Sequence, residues 1–95
     1  MATAEATSAI VNDYGVLARQ AAYLVHYANK FQSEILLKSN GKTDTAKSMN
    51  AVMAMGLKKG DEVKIIADGS DAEEAVAKVK EIIDSFDDKV WWSNE

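Results

Sequence analysis

The chain has no cysteine, no proline and a single histidine, His26. Without cysteine there are no disulfides, no thiolate metal sites and no cysteine nucleophile, a composition that fits a reducing compartment. No stretch approaches the roughly 18 consecutive apolar residues of a membrane span. The N-terminus lacks the basic flank and apolar core of a secretory signal, so a cytoplasmic protein is expected. Positive charge is also short. Lys and Arg number 11 against 15 Asp and Glu, and the net charge of −4 gives no support for binding nucleic acid or an anionic membrane. The only local basic group, Lys42, Lys47, Lys58 and Lys59, reads more simply as solvated loop lysines. What the chain does have is 47% hydrophobic residues over a length of 95, enough for one domain with one small core.

The most informative stretch is Asn12 to Ala22. Asn12, Asp13 and Gly15 break the preceding strand pattern, and after Leu17 the residues Ala18, Ala21, Ala22, Val25 and Ala28 recur at helical spacing. Leu17, Ala18 and Arg19 therefore stand at a helix N-terminus. Unpaired backbone N–H groups and the positive end of the helix dipole meet there, so Ala18 and Arg19 form a candidate anion-binding site; the plain alternative is a strand-to-helix turn.

Taken in order, Met1 to Ala6 reads as a frayed lead into a short strand from Thr7 to Val11. A helix follows from about Ala18 to Asn29. Residues 33–39 alternate as a strand, with Ile35 and Leu37 on the buried face. Asn40-Gly41 supplies the two positive φ angles of a type I′ turn, so Lys42 to Ala46 should return as the second strand of a hairpin. Ser48 reads as the cap of a short helix from Met49 to Met55, with Met49, Val52 and Met53 as its apolar stripe. Val52 and one of those methionines should form its buried underside. Residues 62–68 alternate again, with Val63, Ile65 and Ala67 facing in. Ser70 and Glu73 match a capping box, and Ala72, Ala75, Val76, Val79, Ile82, Ile83 and Phe86 give a last amphipathic helix. Asp68, Asp71, Glu73 and Glu74 cluster at its start, where acidic residues suit the dipole. The order β-α-β-β-α-β-α predicts an α+β open-faced β-sandwich: a four-stranded antiparallel sheet with three helices on one face and a polar second face. The domain should cover residues 1–86, leaving a tail at 87–95 that carries Trp91 and Trp92. These two residues are open to three readings: a cover for apolar surface on the same molecule, an anchor for a partner, or part of an unstructured or appended extension.

With the loop, hairpin and helices placed, the chain resembles the HPr family, the histidine-containing phosphocarriers of the bacterial sugar phosphotransferase system. The resemblance is carried by Gly15-Val16-Leu17-Ala18-Arg19-Gln20-Ala21-Ala22, against a family pattern of Gly-Leu-His-Ala-Arg-Pro-Ala-Ala, and by Asn40-Gly41-Lys42 with Ala46-Lys47-Ser48-Met49. Gly56-Leu57 and Gly60-Asp61-Glu62-Val63 fit as well. It implies that position 17 should hold the phosphoryl-accepting histidine, with Arg19 and the helix start receiving the phosphate. Leu17 has no lone pair to offer, and Gln20 stands where the family has proline. His26 cannot substitute, because nine residues of helix separate the two by half a turn in phase and about 13 Å along the axis. Nor is there a Ser-His-Asp arrangement or a metal-ligand pattern, and no cofactor is implied.

The resemblance is closest in kind to a Crh-like paralogue, the catabolite-repression relative that has glutamine at the histidine position. It implies a non-enzymatic regulatory protein that docks phosphotransferase-system or transcription-regulatory proteins, through Leu17, Ala22, His26, Met49 and Met53. His26 shares a polar stripe with Arg19 and Tyr23 that the resemblance places beside the family's docking surface. It further implies that Ser48 is a phosphorylation site for an HPr kinase-like enzyme, and a monomer or weak dimer is expected. The alternatives are a natural or engineered binding scaffold on the same fold, and a phosphocarrier with an inactivated site.

Overall fold

A computed structural model describes residues 2–88. Its elements run β1 (Thr3–Ala9), α1 (Ala18–Ala28), β2 (Glu34–Ser39), β3 (Lys42–Thr45), α2 (Met49–Ala54), β4 (Glu62–Asp68) and α3 (Ala72–Asp84). The strands form one antiparallel sheet in the order β1-β4-β2-β3, and the helices cover one face. This is the α+β open-faced sandwich expected from the alternation patterns. The hairpin is where Asn-Gly places it: Asn40 and Gly41 both have positive φ, and Ser39 pairs with Lys42 across the turn.

Period-2 burial on the strands and period-3.6 burial on the helices meet in a single core. Ile35 and Leu37 of β2, and Val63, Ile65 and Ala67 of β4, point into it and meet Leu24 of α1, Val52 of α2, and Val79, Ile82 and Ile83 of α3. Alanines at 21, 28, 72 and 75 are also buried, so α1 and α3 lie close to the sheet. The outer face of the sheet is mostly polar. Its apolar feature is the cross-strand pair Leu36 and Ile66, both half-buried.

Three expectations change on contact with the structure. The first strand is not the short Thr7–Val11 segment but runs from Thr3 to Ala9, paired along its whole length with β4. Its inward residues, Ala4, Ala6 and Ser8, are too small to give a hydrophobic alternation, yet α3 lies over them. Ile10 lies beyond the strand, and its backbone continues the contact by bonding Asp61 and Gly60. The capping box at Ser70 and Glu73 does not form. Asp71 is the N-cap of α3 and makes no side-chain cap bond, because its carboxylate accepts instead from the Ser33 hydroxyl at 2.6 Å and the backbone N–H groups of Gln32 and Ser33 at 2.9 Å. Third, neither Met49 nor Met53 lies underneath α2. The buried methionine is Met55, which ends that helix, and it joins Val52 in the core.

Candidate functional site

The chain leaves β1 into a loop that is fastened from two sides before it becomes α1. On one side, Val16 N–H bonds the carbonyl of Leu57 at 3.0 Å. Gly15, at φ +70°, presses so close to that segment that a Cβ would fall 2.5 Å from the Leu57 oxygen. On the other side stands Asp88. Its carboxylate accepts from the Asn12 amide at 2.9 Å and from the backbone N–H groups of Asp13 at 3.0 Å and Tyr14 at 3.2 Å. The Asn12 bond, followed by the Tyr14 and Asp13 amides and the charge of Arg19, holds the Asp88 carboxyl below its ordinary value.

The first turn of α1 is built by Gln20. Leu17 is the N-cap in extended conformation, and an isobutyl group cannot accept a hydrogen bond. Gln20, only 1% exposed, makes the reciprocal half of a capping box: its Oε1 accepts from Leu17 N–H at 3.1 Å. Its Nε2 donates to the carbonyl of Asp87 at 3.0 Å. One buried amide thus ties the helix start to the segment after α3. The structure carries the folded unit past residue 86, since Asp87 and Asp88 are bonded into it, although the sequence pattern assigns both to the tail. Trp91 and Trp92 lie outside the described residues.

Leu17 is 49% exposed at this helix start, and Met49 and Met53 on α2 are 37% and 41% exposed. Ala22 and His26 lie exposed on α1. Arg19, Ala22, Tyr23, His26 and Tyr27 of α1 line one groove with Met49 of α2. Ala18 lies at its N-terminal end; it is a shallow depression of about 680 Å³, broadly open to solvent, with a mostly apolar lining. The stripe of Arg19, Tyr23 and His26 lines this depression on the outward side of α1, with His26 exposed and Arg19 and Tyr23 half-buried. Tyr23 and Tyr27 stack at a tilt, 4.9 Å between ring centres, and His26 meets Tyr27 edge-on at 5.0 Å. The groove gathers Ala22, His26 and Met49, while Leu17 and Met53 are not among its lining residues. No acidic side chain lines it, and none lies in the first turn of α1.

Ser48 caps α2. Its hydroxyl oxygen accepts from Ala51 N–H at 3.2 Å. Two of the four lysines are engaged, Lys59 with Asp13 at 2.8 Å and Lys47 with the carbonyl of Phe31 at 2.8 Å, while Lys58 and Lys42 stand exposed. No group of three potential metal ligands occurs among the described residues, and none of their helices is long and apolar enough to cross a membrane.

Sequence reasoning missed Gln20, Asn12, Asp88 and Tyr27. Gln20 had a readable signal, three residues after the N-cap, and Tyr23 and Tyr27 stand at i and i+4. Asn12 and Asp88 are 76 residues apart, and nothing local links them.

Comparison with known proteins accords with this geometry. Residues 4–85 match the family model PTS-HPr, described as the PTS HPr component phosphorylation site. Among solved structures, the histidine-containing phosphocarrier protein of a mycoplasma is 39% identical, with 84% of this chain and 91% of that one covered and a TM-score of 0.81. The phosphocarrier protein HPr of Bacillus anthracis is 33% identical, covering 86% and 98%, with a TM-score of 0.81. Crh, the catabolite repression HPr of Bacillus subtilis, is 32% identical over 87% and 99%, with a TM-score of 0.67.

Proposed function

The chain belongs to the HPr family, and from that premise we propose that it is a regulatory docking protein that does not relay phosphate through residue 17. The residue at that position carries the reading. Resemblance aligns Leu17 with the family's phosphoryl-accepting histidine, and a leucine side chain has no lone pair with which to attack phosphorus. What it offers instead is apolar surface. Leu17 stands exposed at the start of α1, Met49 and Met53 stand exposed on α2, and Ala22 and His26 lie between the ends of α1. Methionines make such a surface adaptable to more than one partner, here phosphotransferase-system or transcription-regulatory proteins. An external anion at Ala18 and Arg19 would share Arg19 with the Asp88 carboxylate.

Phosphorylation of Ser48 by an HPr kinase-like enzyme is the proposed control. The hydroxyl already accepts a backbone N–H at the start of α2, and phosphate oxygens can accept in the same place. Roughly two negative charges would arrive beside Met49 while α2 stays capped, so docking changes and the fold does not.

The test follows radiolabelled phosphate from phosphoenolpyruvate through purified enzyme I to this chain and to Leu17→His, with an HPr kinase reaction alongside. The expected result is no label from enzyme I and label at Ser48. Label from enzyme I on the unaltered chain overturns the proposal. Silence in both assays points to a binding scaffold, and recovery of transfer by Leu17→His alone, with no Ser48 label, points to an inactivated carrier.

A further inference from the structure

The outer face of the sheet, opposite the helices, is ordered into rows that run across the strands. Antiparallel pairing brings Thr3, Asp68 and Glu34 into one row, Glu5, Ile66, Leu36 and Thr45 into the next, and Thr7, Lys64, Lys38 and Thr43 into another. An acidic row and a basic row thus flank a row whose centre is apolar. Within one molecule this sets like charges directly opposite each other, Glu34 against Asp68 and Lys38 against Lys64, an arrangement that costs stability. Among the described residues Glu34, Asp68 and Lys38 form no ion pair, and Lys64 reaches only Glu5, at 3.2 Å. We propose that this face docks a second copy of the chain, face to face, about a twofold axis lying along the apolar row.

Charge complementarity selects this occupant, because the pattern is self-complementary under that axis. Each strand lies over its own equivalent with its direction reversed, so Ile66 and Leu36 meet their equivalents while the rows on either side exchange. Glu34 then faces Lys38 of the second copy, and Asp68 faces Lys64 of the second copy. Both like-charge pairs become parts of clusters of opposite charge. The repulsive contact, Glu5 with its equivalent, falls on the edge strand, where Lys64 already pairs with it. Glu62 stands one row beyond the lysines and has no strand residue of the second copy opposite it. Strands about 4.8 Å apart and rows about 6.8 Å apart make a face of roughly 400 Å² per copy. That is about half of a standard interface, so the dimer is weak and sensitive to salt. The helices lie on the far side of the sheet, and the dimer therefore presents two docking faces at once. That consequence rests on the docking role proposed above; the contact itself does not.

Sedimentation equilibrium of the full chain, from about 10 μM to about 1 mM, reads the contact directly. Expected is a reversible monomer–dimer equilibrium that weakens several-fold between about 0.05 M and about 0.5 M salt. Glu34→Lys and Lys38→Glu should each abolish it, because positions 34 and 38 of facing copies then carry the same charge. Each change also removes a like-charge pair within the monomer, so circular dichroism and the thermal midpoint should hold or improve. Mixed in equal amounts, the two variants should associate again, since the first presents lysine at both positions and the second glutamate at both. A chain that stays monomeric at about 1 mM in low salt overturns the proposal. So does a dimer that survives either single variant, or a mixture that does not associate. Should either variant lose structure, amide shifts of the unaltered chain on dilution decide: changes centred on Leu36, Lys64 and Ile66 support the contact, and changes centred on α1 and α2 overturn it. None of these outcomes touches the reading of Leu17 and Ser48, which is tested by phosphate transfer.

Discussion

The first turns of α1 and α2 border the same groove and are held in opposite ways. The α2 start is local: Ser48 caps a helix that begins one residue later, using its own hydroxyl. The α1 start has a leucine at the cap and depends on distant partners. Gln20 reaches to Asp87, the loop before it is bonded by Asp88, and Gly15 lies against Leu57. The α3 start resembles α1, with no side-chain cap and Asp71 committed to Ser33 and Gln32. A locally capped turn can be altered without disturbing the rest of the domain. A turn fastened by three segments transmits any change to all of them.

That contrast can be broken most severely at Gly15. Gly15→Ala forces a side chain into a positive-φ position against backbone, and should cost about 2–4 kcal/mol by urea denaturation. Gln20→Ala leaves the Leu17 N–H and the Asp87 carbonyl without their buried partner, and we expect a loss of about 1–3 kcal/mol. Hydrogen exchange should rise at both the α1 start and residues 87–88, whereas an effect confined to α1 would show that the tie to Asp87 carries no energy. Ser48→Ala removes the local cap at a cost of about 1 kcal/mol, with exchange raised in α2 only.

Acid sharpens the same comparison. Asp71 is held low chiefly by the Ser33 hydroxyl and the Gln32 N–H, and Asp88 chiefly by Asn12. Their carboxyls lie lower in the folded chain than the unfolded value of about 3.9, so the unfolded state takes up protons first. Their contribution to stability is complete above that value and drains away as pH falls through the lower folded values. Urea midpoints measured downward from neutral pH should therefore decline below about pH 4, less steeply in the double variant Asp71→Asn, Asp88→Asn. The smallest effect is expected at Lys59 and Asp13, whose side chains are mostly exposed: Lys59→Ala should leave the midpoint unchanged at moderate salt.

How much of this was legible follows from the range over which each feature acts. The Asn40-Gly41 turn, the Ser48 cap and the alternation of residues 62–68 act over a few residues, and each stands where the sequence pattern puts it. The first strand was misplaced because its inward residues are Ala4, Ala6 and Ser8, and small side chains under a close helix leave no hydrophobic signature. Ser70 and Glu73 matched a capping box, but a loop 38 residues away took the neighbouring carboxylate of Asp71. At the candidate site Leu17, Met49 and Met53 all stand exposed, although the spacing put one of the two methionines beneath α2, and the aromatic part of the groove owes as much to Tyr27, which the stripe of Arg19, Tyr23 and His26 did not include. Gln20 is the instructive case. Set against a family pattern it is a missing proline, and set against its own helix it is the residue that closes the first turn.

The strand order has a consequence for how the chain assembles. Thr3 pairs with Asp68, and Ala9 with Glu62, so β1 has no neighbour until β4 exists. The hairpin of β2 and β3 closes across two residues and can form as soon as it is made. Docking β1 requires closure of a loop of more than fifty residues, and that entropy must be surrendered before any ladder bond repays it. During synthesis the N-terminal strand therefore waits, unpaired, while about two-thirds of the domain emerges behind it. The side chains of Thr3 to Ala9 make that wait safe, because a strand of alanine, threonine and serine with one glutamate offers little for a neighbouring nascent chain to stick to.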